Sequence, residues 1–230
     1  MKNNLSALVL CGGKGMRLRP LTNSTPKPLI KIGNKEILDH IISFLSKNFI
    51  REIILTIGYQ AIKIERFLKL YKKNKKNIIY TVNSGNVDII KRIIECKKFI
   101  GTKNFILLYG DTISDVNLAA LIKSHRLSKK PATVTLHQLK SEFGVMEFDK
   151  KQLVNKYSEK PYLNKWINIG YFYFNNEILK IMKSFNSFES FLIFLIKKKK
   201  LNSYLHKGLH ITVNTKRELI EAENNIKLIL

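Results

Sequence analysis

The residue types best suited to chemistry lie in two short segments: Leu8-Val9-Leu10-Cys11-Gly12-Gly13-Lys14-Gly15-Met16-Arg17-Leu18-Arg19-Pro20-Leu21-Thr22, and Thr25-Pro26-Lys27-Pro28-Leu29. An apolar run delivers the chain to a turn with glycines at 12, 13 and 15. Without Cβ atoms there, backbone N–H groups can turn toward an anion and approach it closely. Arg17 adds a bidentate fork and Lys27 a mobile point charge. A triphosphate or pyrophosphate fits that combination. No Gly-Lys-Ser/Thr follows at the spacing of a Walker loop, and the glycines fall as G-G-x-G, not as the dinucleotide fingerprint. The bare glycine pattern is equally a structural turn; the basic residues beside it make a phosphate site the sharper reading.

Short apolar strands alternating with amphipathic helices must carry these residues, which argues for an α/β fold with a largely parallel sheet. The pattern predicts strands at Ala7 to Cys11, Glu52 to Ile57, Ile78 to Val82, Phe105 to Tyr109 and Ala132 to Leu136. Helices are predicted at Glu36 to Lys47, Ile62 to Tyr71, Val87 to Ile100 and Leu118 to Leu127. Beyond residue 136 the texture changes. Phe143 to Phe148, Leu153 to Tyr157 and Ile167 to Phe174 are strand-like with short polar links, which suggests an antiparallel or mixed portion. Two helices follow at about 175–184 and 187–197, the second with Asn186 as its cap and Glu189 three residues on. A last helix opens on a Thr215/Glu218 capping box. The expectation is one domain over 1–230, with β-α units in 1–136 and an elaboration in 137–230.

The 230 residues are 45% hydrophobic, enough for a substantial core, and no apolar run reaches the ~18 residues of a membrane span. The N-terminus lacks a secretory h-region. Cys11 and Cys96 lie in apolar stretches and form neither a disulfide framework nor a metal knuckle. A cytoplasmic protein is expected. Forty-one Lys plus Arg against seventeen Asp plus Glu give a formal charge of +24, which favours polyanionic partners. No recognition helix or aromatic RNA motif accompanies it, so nucleic acid is not the expected partner. The runs Lys72 to Lys76 and Lys197 to Lys200 follow apolar-periodic segments, where cations complement helix C-termini. The histidines at 40, 125, 137, 206 and 210 show no metal spacing, and Trp166, Tyr171 and Tyr173 read as core.

Taken together, the two opening segments resemble the nucleotidyltransferase family that makes nucleoside-diphosphate sugars, whose pattern is roughly L-A-G-G-x-G-T-R-L-x-P-L-T, a gap, then P-K-P-L. The resemblance continues in order through Ile32 to Leu38, Tyr109-Gly110-Asp111-Thr112, Phe143-Gly144-Val145, Ser158-Glu159-Lys160-Pro161 and Ile167-Asn168-Ile169-Gly170, reaching about residue 200. It implies a Rossmann-like, open, mostly parallel sheet flanked by helices, with a small C-terminal mixed α/β elaboration. The implied reaction joins an NTP to a phosphorylated acceptor, most often a sugar 1-phosphate, with release of pyrophosphate and with Mg²⁺. The Phe105 to Leu121 stretch and F-G-x-x-x-F-D look most like cytidylyltransferases, which puts CTP first.

Carried over by position, Leu10, Gly12, Gly13, Gly15, Arg17, Lys27, Gly85 and Asp88 would bind the nucleotide. Arg17, Lys27 and Asp111 would be catalytic, with Asp111 also holding Mg²⁺. Gly144, Glu159, Lys160 and Asn168 would line the acceptor side. Three departures stand out. Met16 replaces a hydroxyl residue of the turn. Asp88 puts a bulky acid in the base-contacting stretch Ser84-Gly85-Asn86-Val87-Asp88-Ile89-Ile90-Lys91. The segment matching the C-terminal metal motif, His210-Ile211-Thr212-Val213-Asn214-Thr215, has no carboxylate. These leave open a cytidylyltransferase with a non-sugar acceptor, and a nucleotide-binding protein that has lost catalysis. A homo-oligomer is compatible with the sequence but not specified by it.

Overall fold

Where the sequence runs apolar on both faces of a strand, the chain enters the middle of a sheet. Residues 5–48, 50, 52–72, 78–83, 85 and 87–228 are described in a computed structural model. Ser84 and Asn86 of the base-contacting stretch, Lys73 to Lys76 of the first basic run, and Met1 to Asn4 lie outside the described residues. Seven strands form the main sheet: β1 (Ser6–Leu10), β2 (Glu52–Ile57), β3 (Ile78–Asn83), β4 (Asn104–Tyr109), β5 (Ala132–Lys140), β6 (Tyr162–Asn175) and β7 (Leu201–His206). Their spatial order is β7-β5-β6-β4-β1-β2-β3. The pairs β1/β2, β1/β4, β2/β3 and β5/β7 are parallel, and β6 alone among them runs against both its neighbours.

Side-chain alternation along the strands splits the core into two layers. Ala7, Val9, Ile53, Leu55, Ile106 and Leu108 meet the helices Ile37–Lys47 and Ala61–Lys72. The intervening Leu8, Ile54, Phe105, Leu107, Phe172 and Phe174 meet Ile89–Glu95, Ile178–Met182 and Phe188–Lys197 on the other face. The Ile37–Lys47 helix shows how the period does this: Ile37, Leu38, Ile41, Ile42 and Leu45 are all buried on one stripe. Tyr171 and Tyr173 are core residues as expected, at 1% and 3% exposure, while Trp166 is only half-buried.

Strand register brings two distant loops together. Leu10 lies opposite Tyr109, so the glycine turn after β1 and the Gly110-Asp111 pair after β4 leave the sheet side by side. The Gly110 N–H donates to the Leu10 carbonyl at 3.0 Å, and a Cβ on Gly110 would stand 2.5 Å from that same oxygen.

The structure corrects several expectations. The helix expected over Val87 to Ile100 is α-helical only over Ile89–Glu95, and its last turn tightens into a 3-10 segment, Cys96–Phe99. The helix expected at about 175–184 is confined to Ile178–Met182. Ser187, not Asn186, caps Phe188–Lys197: its backbone is extended and its hydroxyl accepts from the Ser190 N–H. β5 and β6 run longer than their apolar cores, because pairing with each other satisfies their polar ends. The Thr215 capping box forms as expected. Lys72 and Lys197 end their helices. Among the described residues, no helix is long and apolar enough to cross a membrane.

Candidate active site

At the carboxyl end of β1 the chain makes the turn that the glycines permit. Gly15 has φ +61°, a left-handed backbone, and caps a 3-10 turn, Met16–Leu18. Leu18 anchors that turn in the core, leaving Met16 and Arg17 exposed toward the cleft. The Thr22 hydroxyl donates to the Gly15 carbonyl at 2.9 Å and ties the turn to the following segment. Lys27 lies in a second 3-10 turn, Lys27–Leu29, between Pro26 and Pro28. Although only 7% exposed, its ammonium is held at its tip: Nζ donates to Asp111 Oδ2 at 2.6 Å and to Asn214 Oδ1 at 3.1 Å.

These residues line a cleft of about 510 Å³ at the carboxyl ends of the parallel strands, the usual place for ligands in an open α/β sheet. Of the expected site residues, Leu10, Gly12, Gly13, Gly15, Arg17, Lys27, Asp88 and Asp111 are all in its wall. Gly85 is exposed and outside that lining, its carbonyl accepting from Arg92. Gly144, Glu159, Lys160 and Asn168 are not part of that lining. The first three flank a two-stranded hairpin, Val145–Phe148 with Val154–Ser158, where Glu159 accepts from the Tyr157 hydroxyl and Lys160 is exposed with φ +44°. Asn168 sits at a bulge of β6, accepting from the Gly170 N–H at 2.8 Å. Gly170, at φ +76°, has no room for a Cβ against the Tyr109 ring, so the bulge packs directly on the cleft wall. Burial pushes the Tyr109 hydroxyl above its ordinary pKa.

Among the wall residues that sequence reasoning did not assign to the site are Tyr109 and Arg92. Tyr109 ends an apolar strand and reads as core. Arg92 looks like one more cation on a basic helix, and its burial depends on contacts with distant loops. Asp88, singled out as an unusual acid, is the N-cap of Ile89–Glu95, accepting from the Lys91 N–H at 3.1 Å.

The C-terminal segment reaches the cleft through a small pairing that the sequence did not suggest, His210–Thr212 against Thr112–Ser114. It delivers Asn214 to Lys27. Asp111 and Asn214 therefore bring a carboxylate and an amide oxygen together around one point of the cleft. Among the described residues no cluster of three or more His, Cys, Asp or Glu side chains forms a metal cage. One carboxylate with one amide oxygen suits an ion that keeps several waters and takes the rest of its shell from phosphate oxygens, which is the habit of Mg²⁺.

Beside this pairing, His137 lies between His206 and His210 with its ring tilted against both, the centroids 5.9 and 5.5 Å apart. The His206 ring lies 3.1 Å from an Asp115 oxygen, while the His210 Nδ1 is buried without a partner among the described residues. Burial, with His137 and His206 adding to it, lowers the His210 pKa from 6.5 to about 4. The unfolded chain then binds the proton more readily than the folded one. This contribution to stability is complete above pH 6.5 and is lost as pH falls toward 4, by about 2 kcal/mol after allowance for the ring's partial solvent contact. Urea midpoints for wild type and His210→Gln are expected to diverge over that window and run parallel outside it. Parallel curves throughout would refute the assignment.

With the geometry in place, the chain can be compared with known proteins. The nucleotidyl transferase family profile matches residues 6–209. A probable glucose-1-phosphate cytidylyltransferase of Bacillus subtilis (strain 168) is 30% identical over 95% of this chain and 94% of its own length. The catalytic subunit beta of mannose-1-phosphate guanylyltransferase of Drosophila melanogaster is 32% identical over 77% of this chain, which spans half of that relative. Among solved structures, a putative glucose-1-phosphate thymidylyltransferase from Bacillus anthracis, crystallised with a sucrose, superposes with a TM-score of 0.77 at 19% identity, covering 96% of this chain and 94% of that one. The cleft at the ends of β1 and β4 thus belongs to a member of the nucleotidyl transferase family, an enzyme of the EC 2.7.7 type.

Proposed function

We propose that this enzyme joins an NTP to a sugar 1-phosphate, forming an NDP-sugar and pyrophosphate, with CTP as the first-choice donor. The observation that carries the reading is the buried Lys27 ammonium, held by Asp111 and Asn214 at the mouth of a three-glycine turn. In this reading an oxygen of the acceptor phosphate attacks the α-phosphorus of the nucleotide. A new P–O bond forms as the bond to the β-phosphate oxygen breaks, and pyrophosphate leaves with that electron pair. The acceptor phosphate is itself the nucleophile, so no side-chain base is required. Backbone N–H groups of residues 12–15 cradle the polyphosphate, and Arg17 and Lys27 meet the charge that develops on it. Fixed cations of this kind accelerate transfer without reorganising. Asp111 and Asn214 would hold Mg²⁺, which supplies further charge neutralisation to the phosphates. The nucleotide falls to residues 1–136 and the acceptor to 137–230, where Gly144, Glu159, Lys160 and Asn168 receive it. CTP is put first because a relative named as a probable glucose-1-phosphate cytidylyltransferase is matched over 94% of its length, and because the Phe105 to Leu121 stretch looks most like cytidylyltransferases.

The test is thermal stabilisation by ATP, CTP, GTP and UTP, with and without Mg²⁺, followed by pyrophosphate release with glucose 1-phosphate and mannose 1-phosphate. Ligand at a hundred times its Kd adds about 2.7 kcal/mol to the native state. One nucleotide is expected to stand out; no response to any of the four sinks the reading. A second reading, nucleotide binding without turnover, draws on the absence of a carboxylate at Thr212 and Asn214. Stabilisation without pyrophosphate release from any acceptor would favour it. Asn214→Asp bears on the same point. It restores a charged ligand beside Asp111, and is expected to lower the half-saturating Mg²⁺ concentration about threefold or more. An increase would place the cation elsewhere.

A further inference from the structure

Arg92 is an expensive side chain for this protein to hold. It stands in the helix Ile89–Glu95, 7% exposed, in the wall of the cleft. Its Nε donates to the Val87 carbonyl at 2.8 Å and its Nη2 to the Gly85 carbonyl at 3.1 Å. Nη1 is buried and, among the described residues, has no hydrogen-bond partner. None of the ion pairs among the described residues includes it; Asp88 and Glu95 act on it only through space. A buried guanidinium without a carboxylate is costly, and an apolar side chain of that volume would usually serve packing better.

Its surroundings indicate what it is for. A Cβ on Gly12 would fall 1.2 Å from Nη1, and one on Gly58 would fall 3.2 Å from the same nitrogen and 2.4 Å from the Gly85 carbonyl. The guanidinium therefore occupies space that glycine leaves open in the phosphate turn and in the loop after β2. From that position it grips the two carbonyls of the loop leading into Asp88. Three loops meet on one planar group: the phosphate turn at Gly12, the loop after β2 at Gly58, and the segment before Asp88 at Gly85 and Val87. Lysine has no planar fork and could not hold both carbonyls in a fixed relation.

We propose that Arg92 is the positioning residue of the nucleobase loop: by clamping the Gly85 and Val87 carbonyls beneath Gly12, it fixes how Gly85, Val87 and Asp88 meet the base and so sets which NTP is accepted. Arg92 acts through the loop and touches neither the phosphates nor the reacting atoms. The inference rests on the reading that an NTP is the donor and that this loop meets its base.

The experiment compares wild type, Arg92→Met and Arg92→Lys in kcat and KM for each of the four NTPs, and in calorimetric affinity for inorganic tripolyphosphate, which has no base. In Arg92→Met, discrimination between the preferred NTP and the next is expected to fall about tenfold, chiefly through KM, while tripolyphosphate affinity stays within about twofold of wild type. Arg92→Lys keeps the charge but not the fork, and is expected to lose discrimination severalfold in the same direction. Should Arg92→Met fail to fold, Arg92→Lys decides alone. Discrimination kept within about twofold in a folded variant overturns the inference, as does a loss of tripolyphosphate affinity in step with that of the NTPs. A wild-type protein that accepts no NTP overturns the donor reading itself, an outcome distinct from wild-type selectivity that survives the substitution.

Discussion

Lys27→Ala is expected to reduce turnover at least about a hundredfold while the protein stays folded, on the scale of removing one preorganised charge stabiliser from a transition state. Lys27 is a nearly buried ammonium whose hydrogen-bond partners hold its tip at one point of the cleft. Its preorganisation is complete before substrate arrives, which is the condition under which a cation lowers a barrier instead of merely attracting an anion. The fold should tolerate the loss, because the Asp111 side chain left behind is 35% exposed and remains solvated. The measurement is a single-turnover rate at saturating NTP and acceptor, with a thermal melt as the control. A rate within about threefold of wild type in a folded variant would remove Lys27 from the chemistry.

Asp111→Asn is expected to cost at least about tenfold in kcat, with a different signature. Asp111 has two roles open to it: fixing Lys27 through Oδ2, and offering its other oxygen to a cation. If it ligates Mg²⁺, the loss should shrink as Mg²⁺ is raised, with the half-saturating concentration shifted upward, since an amide contributes no neutralising charge. An unchanged Mg²⁺ midpoint with reduced kcat would assign Asp111 to holding Lys27 alone. The double variant separates the two further. Because the residues touch, the combined effect should fall short of the product of the single effects.

The residues proposed for nucleotide binding and catalysis were legible because most belong to contiguous motifs that follow an apolar strand. Gly12, Gly13 and Gly15 follow β1, Lys27 sits in its Pro-Lys-Pro frame, and Asp111 follows β4. Strand periodicity and glycine spacing are local properties, so they survive in one dimension. The acceptor residues were named from motif order alone, and the structure places Gly144, Glu159, Lys160 and Asn168 outside the lining of the cleft that gathers the nucleotide residues.

Other features depend on pairs far apart in the chain, and no window of sequence contains them. Short polar links mark the region of β6 as antiparallel or mixed, but its place in the middle of the main sheet, against both β4 and β5, emerges only when hydrogen-bonding edges meet. The Thr112–Ser114 and His210–Thr212 pairing is too short for a periodic signal, yet it brings Asn214 to a lysine 187 positions away. Arg92 is the sharpest instance. In the sequence it is one cation among forty-one Lys and Arg residues. Folding sets it under Gly12, 80 positions earlier, where the absence of a Cβ admits a guanidinium that no counter-charge would otherwise keep buried. Composition and local pattern establish which groups are available and which backbone turns are cheap. Burial, register and the company a charge keeps are properties of the packed chain, because desolvation and hydrogen bonding depend on neighbours in space.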